Sequence, residues 1–204
     1  MVSNITPEQE FSDPNDFYTE EESERYNNSS GMRNTQEQLT KIALDLSSSI
    51  SSIKTIDILD VGCGTGFSLE YLTSLGYLNL KGIDPSKEMV RIAKNKKLKV
   101  KIGGFKDLSK ITDKFDFIIS ISALQWILSG KQDIEIKNII KKIGKEFKRL
   151  LKKPGFAIIQ FYPEKPDVFE TIISSFNRCE LKASAYIYNS DSLKKRKFFI
   201  ILEN

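Results

Sequence analysis

Asp57-Ile-Leu-Asp-Val-Gly-Cys-Gly-Thr-Gly66, with Asp84 following 18 residues after the last glycine, decides the fold of this 204-residue chain. Ile58, Leu59 and Val61 predict a buried strand that runs into a glycine turn, tight because residues without a Cβ reach conformations that others avoid. A second apolar stretch, Leu80-Lys-Gly-Ile-Asp84, ends on an acid. Strand, glycine turn, helix and acid-tipped strand together describe a ligand crevice at the head of a parallel sheet.

The glycine spacing narrows the ligand. A dinucleotide site reads G-x-G-x-x-G, which brings a helix N-terminus onto a pyrophosphate; here Gly62, Gly64 and Gly66 read G-x-G-x-G, with Cys63 inside the turn and Asp60 just ahead of it. A carboxylate there would repel a pyrophosphate but would face the cationic sulfonium and amino group of S-adenosylmethionine. Asp84 is expected to accept hydrogen bonds from both ribose hydroxyls. A plain strand-to-helix turn and a nicotinamide site are the competing readings.

Outward from this stretch, residues 1–16 read as a polar, mobile arm, followed by a short acidic helix up to Tyr26 and a loop Asn27 to Gly31. Helices are expected at Thr35 to Leu46, Phe67 to Leu75, from Ser86 to Lys94, Ile134 to Leu151 and Val168 to Arg178. A serine-rich linker spans Ser47 to Ser52. Strands are expected at Ile56 to Val61, Leu80 to Asp84, Leu98 to Ile102, Phe115 to Ile121, Phe156 to Tyr162, Leu181 to Tyr188 and Phe198 to Leu202. This alternation predicts an α/β fold: a doubly wound, mostly parallel seven-stranded sheet, closed by a hairpin that brings in one antiparallel strand. Residues 1–34 form an N-terminal helical extension, arm and lid, and residues 35–204 the binding domain.

Composition excludes several chemistries. The chain has no histidine, so an imidazole base, a Ser-His-Asp relay and a histidine metal site are ruled out. Its two cysteines, Cys63 and Cys179, offer neither metal-ligand spacing nor a disulfide framework, and no metal is expected. No apolar run is long enough for a membrane span, so a soluble, cytoplasmic protein is expected. The net charge of +4 hides an asymmetry: residues 1–26 hold eight acids and one base, leaving 30 bases against 19 acids. Basic clusters at Lys94 to Lys101, Lys141 to Lys153 and Lys194 to Lys197 suit a polyanion, with a solvated lysine surface as the alternative.

The segment Ser120-Ile-Ser-Ala-Leu-Gln-Trp126, the run Gln160-Phe-Tyr-Pro-Glu164, Phe17-Tyr18 with Tyr26, and the ending Lys194-Lys-Arg-Lys-Phe-Phe together resemble the eukaryotic 18S ribosomal RNA (guanine-N7)-methyltransferases and their archaeal relatives. That family belongs to the class I, Rossmann-like methyltransferases. The resemblance implies a cofactor site of Asp60, Gly62, Cys63, Gly64, Asp84, Pro85, Met89, Gly104, Phe105 and Ser120, with Arg33 near the methionine carboxylate. Met89 serves core packing as readily. Two departures stand out: Gly103 occupies the place of a family acid near the adenine, and Gly31 that of a family arginine.

The resemblance further implies that Trp126, Gln125 and Tyr162 position the acceptor base, with Tyr18, Tyr26, Gln160 and Pro163 binding substrate. Tyr162 could instead be a strand-end core residue. Guanine N7 carries a free lone pair, so orientation and water exclusion suffice and no general base is expected. Ribosomal RNA and a small zinc-containing activator subunit are the implied partners, the latter pairing along Leu98, Val100 and Ile102 of an edge strand. A small-molecule methyltransferase of the same fold, and an assembly factor whose catalysis is dispensable, are the rival functions.

Overall fold

The computed structural model describes residues 5–47, 52–163, 166–192 and 196–204. Most of the expected linker, the first two residues of the last lysine cluster and Glu164 of the Gln160 run therefore lie outside the described residues. Strands β1 (Asp57–Val61), β2 (Asn79–Asp84), β3 (Val100–Ile102), β4 (Phe115–Ile121), β5 (Leu151–Phe161), β6 (Lys182–Tyr188) and β7 (Lys197–Glu203) form one sheet in the order β3-β2-β1-β4-β5-β7-β6. β1 to β5 pair in parallel, and β7 enters antiparallel between β5 and β6. Strand order reverses between β1 and β4, the point at which open α/β sheets bind ligands.

The helices are α1 (Pro7–Glu10), α2 (Pro14–Phe17), α3 (Glu20–Asn27), α4 (Ser30–Leu46), α5 (Phe67–Ser74), α6 (Lys87–Asn95), α7 (Gln125–Leu128), α8 (Asp133–Leu150) and α9 (Pro166–Asn177), with a 3-10 turn at Phe105–Lys110. Strand alternation sends Ile58, Phe117, Ile119 and Ile158 to one side, onto Leu39 and Ala43 of α4. Leu59, Val61, Ile118 and Ile159 go to the other side, onto Ile136, Ile140, Ile143 and Phe147 of α8 and Ile172 and Phe176 of α9. Those α8 residues recur at helical spacing and are all buried; each contributes about 1.5–3 kcal/mol on leaving water.

Three expectations need correction. The polar arm is not irregular throughout: α1 and α2 form within it, each entered at a proline. The loop expected up to Gly31 ends sooner, because the Ser29 hydroxyl accepts the Met32 amide at 3.2 Å and starts α4 at Ser30. The boundary placed after residue 34 thus falls inside a helix. Finally, β5 begins at Leu151, before Pro154, because buried Leu151 pairs with Phe115 and Lys152 bridges Asp57 and Asp116 at 2.6 and 2.8 Å.

Candidate functional site

The turn after β1 is built for close approach. Gly62, Gly64 and Gly66 all have positive φ, at 83°, 54° and 91°, a region that costs other residues about 1–2 kcal/mol. The amides of Gly62 and Cys63 both donate to the Ile83 carbonyl, at 2.8 and 3.1 Å, tying the turn to β2. A Cβ on Gly62 would sit 2.3 Å from the Ala123 Cβ. The loop after β4 therefore comes down directly on the glycine turn.

Two buried acids stand at the strand ends. Asp84 accepts the Gly64 amide on Oδ2 and the Ser86 amide on Oδ1, each at 2.8 Å. Burial still pushes its carboxyl up to about 6, against the pull of those two amides. Asp60 is 1 % exposed, and neither of its oxygens has a hydrogen-bond partner among the described residues. Burial first, and Asp84 second, push it up to about 8. An unpartnered buried carboxylate is costly, so Asp60 is complementary to a cation or a set of donors above the turn. The residues present fit a ligand that is cationic at one end and carries ribose hydroxyls at the other. Asp84 spends one lone pair per oxygen on the amides and keeps others for acceptance.

Asp84 adjoins a cavity of 1140 Å³; Asp60, on the neighbouring strand, is not among its lining residues. Gly62, Cys63, Gly64, Asp84, Pro85, Met89, Gly104 and Phe105 line it, as do Tyr18, Tyr26, Gln125, Trp126 and Tyr162. The aromatic wall is continuous: Trp126 lies 5.9 Å from Phe17 and 5.5 Å from Tyr18, and Tyr26 stacks on Phe67 at 5.5 Å. Burial raises both the Tyr18 and Tyr26 phenols, with Asp84 adding to each; they stay neutral hydrogen-bonding groups at physiological pH. Lys197 reaches the Tyr162 hydroxyl at 3.3 Å.

Ser122, held at φ 55°, organises the loop above the turn. Gln160 Oε1 accepts its amide at 3.1 Å and its hydroxyl at 2.9 Å, and Gln125 Nε2 donates to its carbonyl at 2.9 Å. Gln125 lines the cavity, and its buried Oε1 has no partner among the described residues. A buried acceptor left open there suits a donor on an incoming base.

Some expected site residues lie elsewhere. Arg33 does not line the cavity: it pairs with Glu70 at 3.2 Å and covers the Phe67 ring at 4.5 Å, because α4 already includes it. Gln160 is fully buried and spent on Ser122, so it positions the loop and offers no edge to a base. The Ser120 hydroxyl, also fully buried, donates to the Val61 carbonyl at 2.7 Å and joins β4 to β1. Asp60 and Pro163 are not among the lining residues. Gln36 and Phe67 were missed. Gln36 lines the cavity from α4, 86 residues from Ser122, and no local pattern marks it; Phe67, first after the glycines, carried that signal.

The edge-strand expectation is partly met. β3 ends the sheet, but it runs only from Val100 to Ile102. Leu98 precedes it and packs where a Cβ on Gly66 would sit, 2.2 Å away. Val100 is buried and Ile102 is 57 % exposed.

Comparison with known proteins places this geometry. A family profile described as "Methyltransferase domain" matches residues 59–159. The "Probable 18S rRNA (guanine-N(7))-methyltransferase" of Dictyostelium discoideum is 30% identical over 196 residues, spanning 93% of this chain and 67% of the relative. The "18S rRNA (guanine-N(7))-methyltransferase" of Bos taurus is 30% identical over 194 residues, spanning 93% and 68%. Among solved structures, magnesium protoporphyrin IX methyltransferase (ChlM) from Synechocystis, with bound SAM, superposes with a TM-score of 0.61 at 16% identity, covering 82% of this chain and 79% of that one. That likeness shows the class I methyltransferase fold.

Proposed function

We infer the reaction from kinship: the chain belongs to the 18S rRNA (guanine-N(7))-methyltransferase family, and it uses S-adenosylmethionine to methylate N7 of a guanine in small-subunit ribosomal RNA. The cofactor, when bound, supplies an electrophilic methyl group. Everything else falls to the residues of the chain.

The observation that carries this reading is the contact of Trp126 with Tyr18 over a crevice that also holds Asp84 and the glycine turn. Asp84 is suited to the ribose hydroxyls and Asp60 to the cationic end, with Pro85, Met89, Gly104 and Phe105 around the adenine. Trp126, Tyr18, Tyr26 and Tyr162 offer flat faces to an unstacked guanine, where stacking contributes about 1–3 kcal/mol. Gln125 offers its free amide oxygen to the exocyclic amine or ring N–H of the base. No proton leaves guanine N7 before attack, so a wall that fixes geometry and excludes water suffices, consistent with a chain that has no histidine.

The segment before α4 is read as a lid, with Tyr18 and Asn15 among the cavity-lining residues and the Asn15 side chain accepting the Lys87 amide at 3.2 Å. A small zinc-containing activator is read as adding a strand to β3. Gly82 donates to the Lys99 carbonyl and Gly103 to the Asp84 carbonyl, so Lys99, Lys101 and Gly103 face β2 while Val100 and Ile102 turn their backbone groups outward.

The test is direct. Small-subunit RNA is incubated with the protein, with and without a zinc-containing activator, and labelled cofactor. The product is mapped by borohydride reduction and aniline cleavage, which cuts the strand at N7-methylguanine. One strong cleavage site is expected; label at another atom or in no RNA would overturn the reading.

A further inference from the structure

The cavity does not stop at the cofactor and guanine walls. At 1140 Å³ it exceeds the roughly 300–1000 Å³ typical of a small-molecule site, and its lining continues over Ile127, Lys131, Ile139, Lys142, Ile143 and Lys145. This arm begins beside the acceptor wall, since Ile127 follows Trp126 directly and Lys131 is five residues on. On α8 the spacing Ile139, Lys142, Ile143 places apolar and basic groups on neighbouring ridges.

The arm has two chemistries. Ile143 is buried, and Ile127 and Ile139 are half-buried against the core, making an apolar floor. Lys131, Lys142 and Lys145 are exposed, and none forms a salt bridge among the described residues. Of the acids near them, Glu146 is held by Arg149 at 2.6 Å and Asp107 by Lys110 at 2.7 Å. Glu8, also lining the cavity, lies close enough to Tyr18 to raise its phenol, and Asp13 caps α2. The rim of the arm is therefore cationic over an apolar floor, the complement of a nucleotide with its diester outward and its base inward.

We propose that this arm is a second nucleotide subsite, in which the RNA backbone flanking the target guanine lies on Lys131, Lys142 and Lys145 and a neighbouring base rests on Ile127, Ile139 and Ile143. The proposal rests on the RNA-methylating reading above and adds where the strand runs. Its contacts carry affinity and register, while Trp126 and its neighbours hold the reacting base.

The test uses the full chain, with its activator if one is needed, and a short guanine-containing oligoribonucleotide. Lys142→Gln/Lys145→Gln should raise its Kd about tenfold at low salt and lower the slope of log Kd against log salt by about 1.4, at roughly 0.7 per phosphate on a single strand. Cofactor affinity should not change. Lys114→Gln/Lys153→Gln removes the same charge where β4 and β5 begin, at the other end of the sheet, and should leave the slope alone. Thiouridine placed beside the guanine should cross-link to the peptide spanning residues 127–145. An unchanged slope, an equal change in the control pair, or cross-links only elsewhere would overturn the arm. A protein that shows the lysine-dependent slope yet places no methyl on guanine N7 would instead overturn the reaction and leave the arm standing.

Discussion

The Gln160 amide oxygen accepts both the amide and the hydroxyl of Ser122, at 3.1 and 2.9 Å. One buried side chain on β5 thus sets the loop that carries Trp126. Gln160→Leu leaves the Ser122 hydroxyl without that acceptor, although the Ser122 amide keeps the Gln160 main-chain carbonyl at 2.9 Å, and should cost about 1–3 kcal/mol of stability. Methyl transfer should fall at least tenfold and cofactor Kd should stay within about threefold. Thermal unfolding, calorimetry and single-turnover rates on one preparation separate the effects; equal loss of rate and cofactor affinity would show that Gln160 supports the whole site.

Asp60 is expected to make cofactor binding pH dependent. Its folded value is raised from 3.8 to about 8, so across that window the folded cofactor-free protein holds a proton that the unfolded chain releases. Stability of the cofactor-free protein should therefore fall as pH rises toward 8. A cationic ligand favours the ionised form, so its affinity should rise over the same window with release of a proton. Asp60→Asn should raise the cofactor-free Tm at pH 8 and weaken S-adenosylmethionine at least tenfold. Calorimetry in buffers of different ionisation heat counts the proton, and a pH-independent Kd would refute the assignment.

Trp126→Ala should lower methyl transfer by about 10²-fold or more with little change in cofactor Kd, because the ring lies against Tyr18 and Phe17 on the wall assigned to the acceptor base. Equal losses in both would reduce Trp126 to scaffold.

Deleting residues 1–18 should speed cofactor dissociation several-fold. Tyr18 lines the cavity, and Asn15 ties the segment to the start of α6. Stopped-flow release of S-adenosylhomocysteine measures this, and an unchanged rate would remove the segment from the list of lids.

The activator edge is better probed at Ile102 than at Val100, whose amide is already spent on the Leu98 carbonyl at 3.1 Å. Ile102→Pro removes an outward donor without touching the β2 ladder. Coexpressed zinc-containing subunit should no longer copurify while the chain keeps its Tm; a surviving complex would place the interface elsewhere.

The sheet was legible because its signals are local. The runs Ile58 to Val61 and Phe115 to Ile121 are mostly apolar and buried on both faces, as strands covered by helices are, and the glycine turn with Asp84 located the crevice. What escaped depends on distant parts of the chain. Arg33 sits two positions from Gly31, where the resemblance implied an arginine, but a serine cap folds it into α4 and turns it to Glu70 and Phe67. Gln160 carries an amide that any base edge could use, and only the crossing of β5 past Ser122 shows it to be spent. The early start of β5 depends on Lys152 meeting two carboxylates 95 and 36 residues away.

The chain has a single tryptophan, and it lies against Phe17 and Tyr18 of the segment read as the lid. Its emission is therefore an unlabelled gauge of that segment. When the aromatic neighbours leave, the indole meets water and its spectrum shifts to longer wavelength; when they return, the shift reverses. Opening and closing over the crevice can be timed on the native protein, with no dye attached and no residue changed.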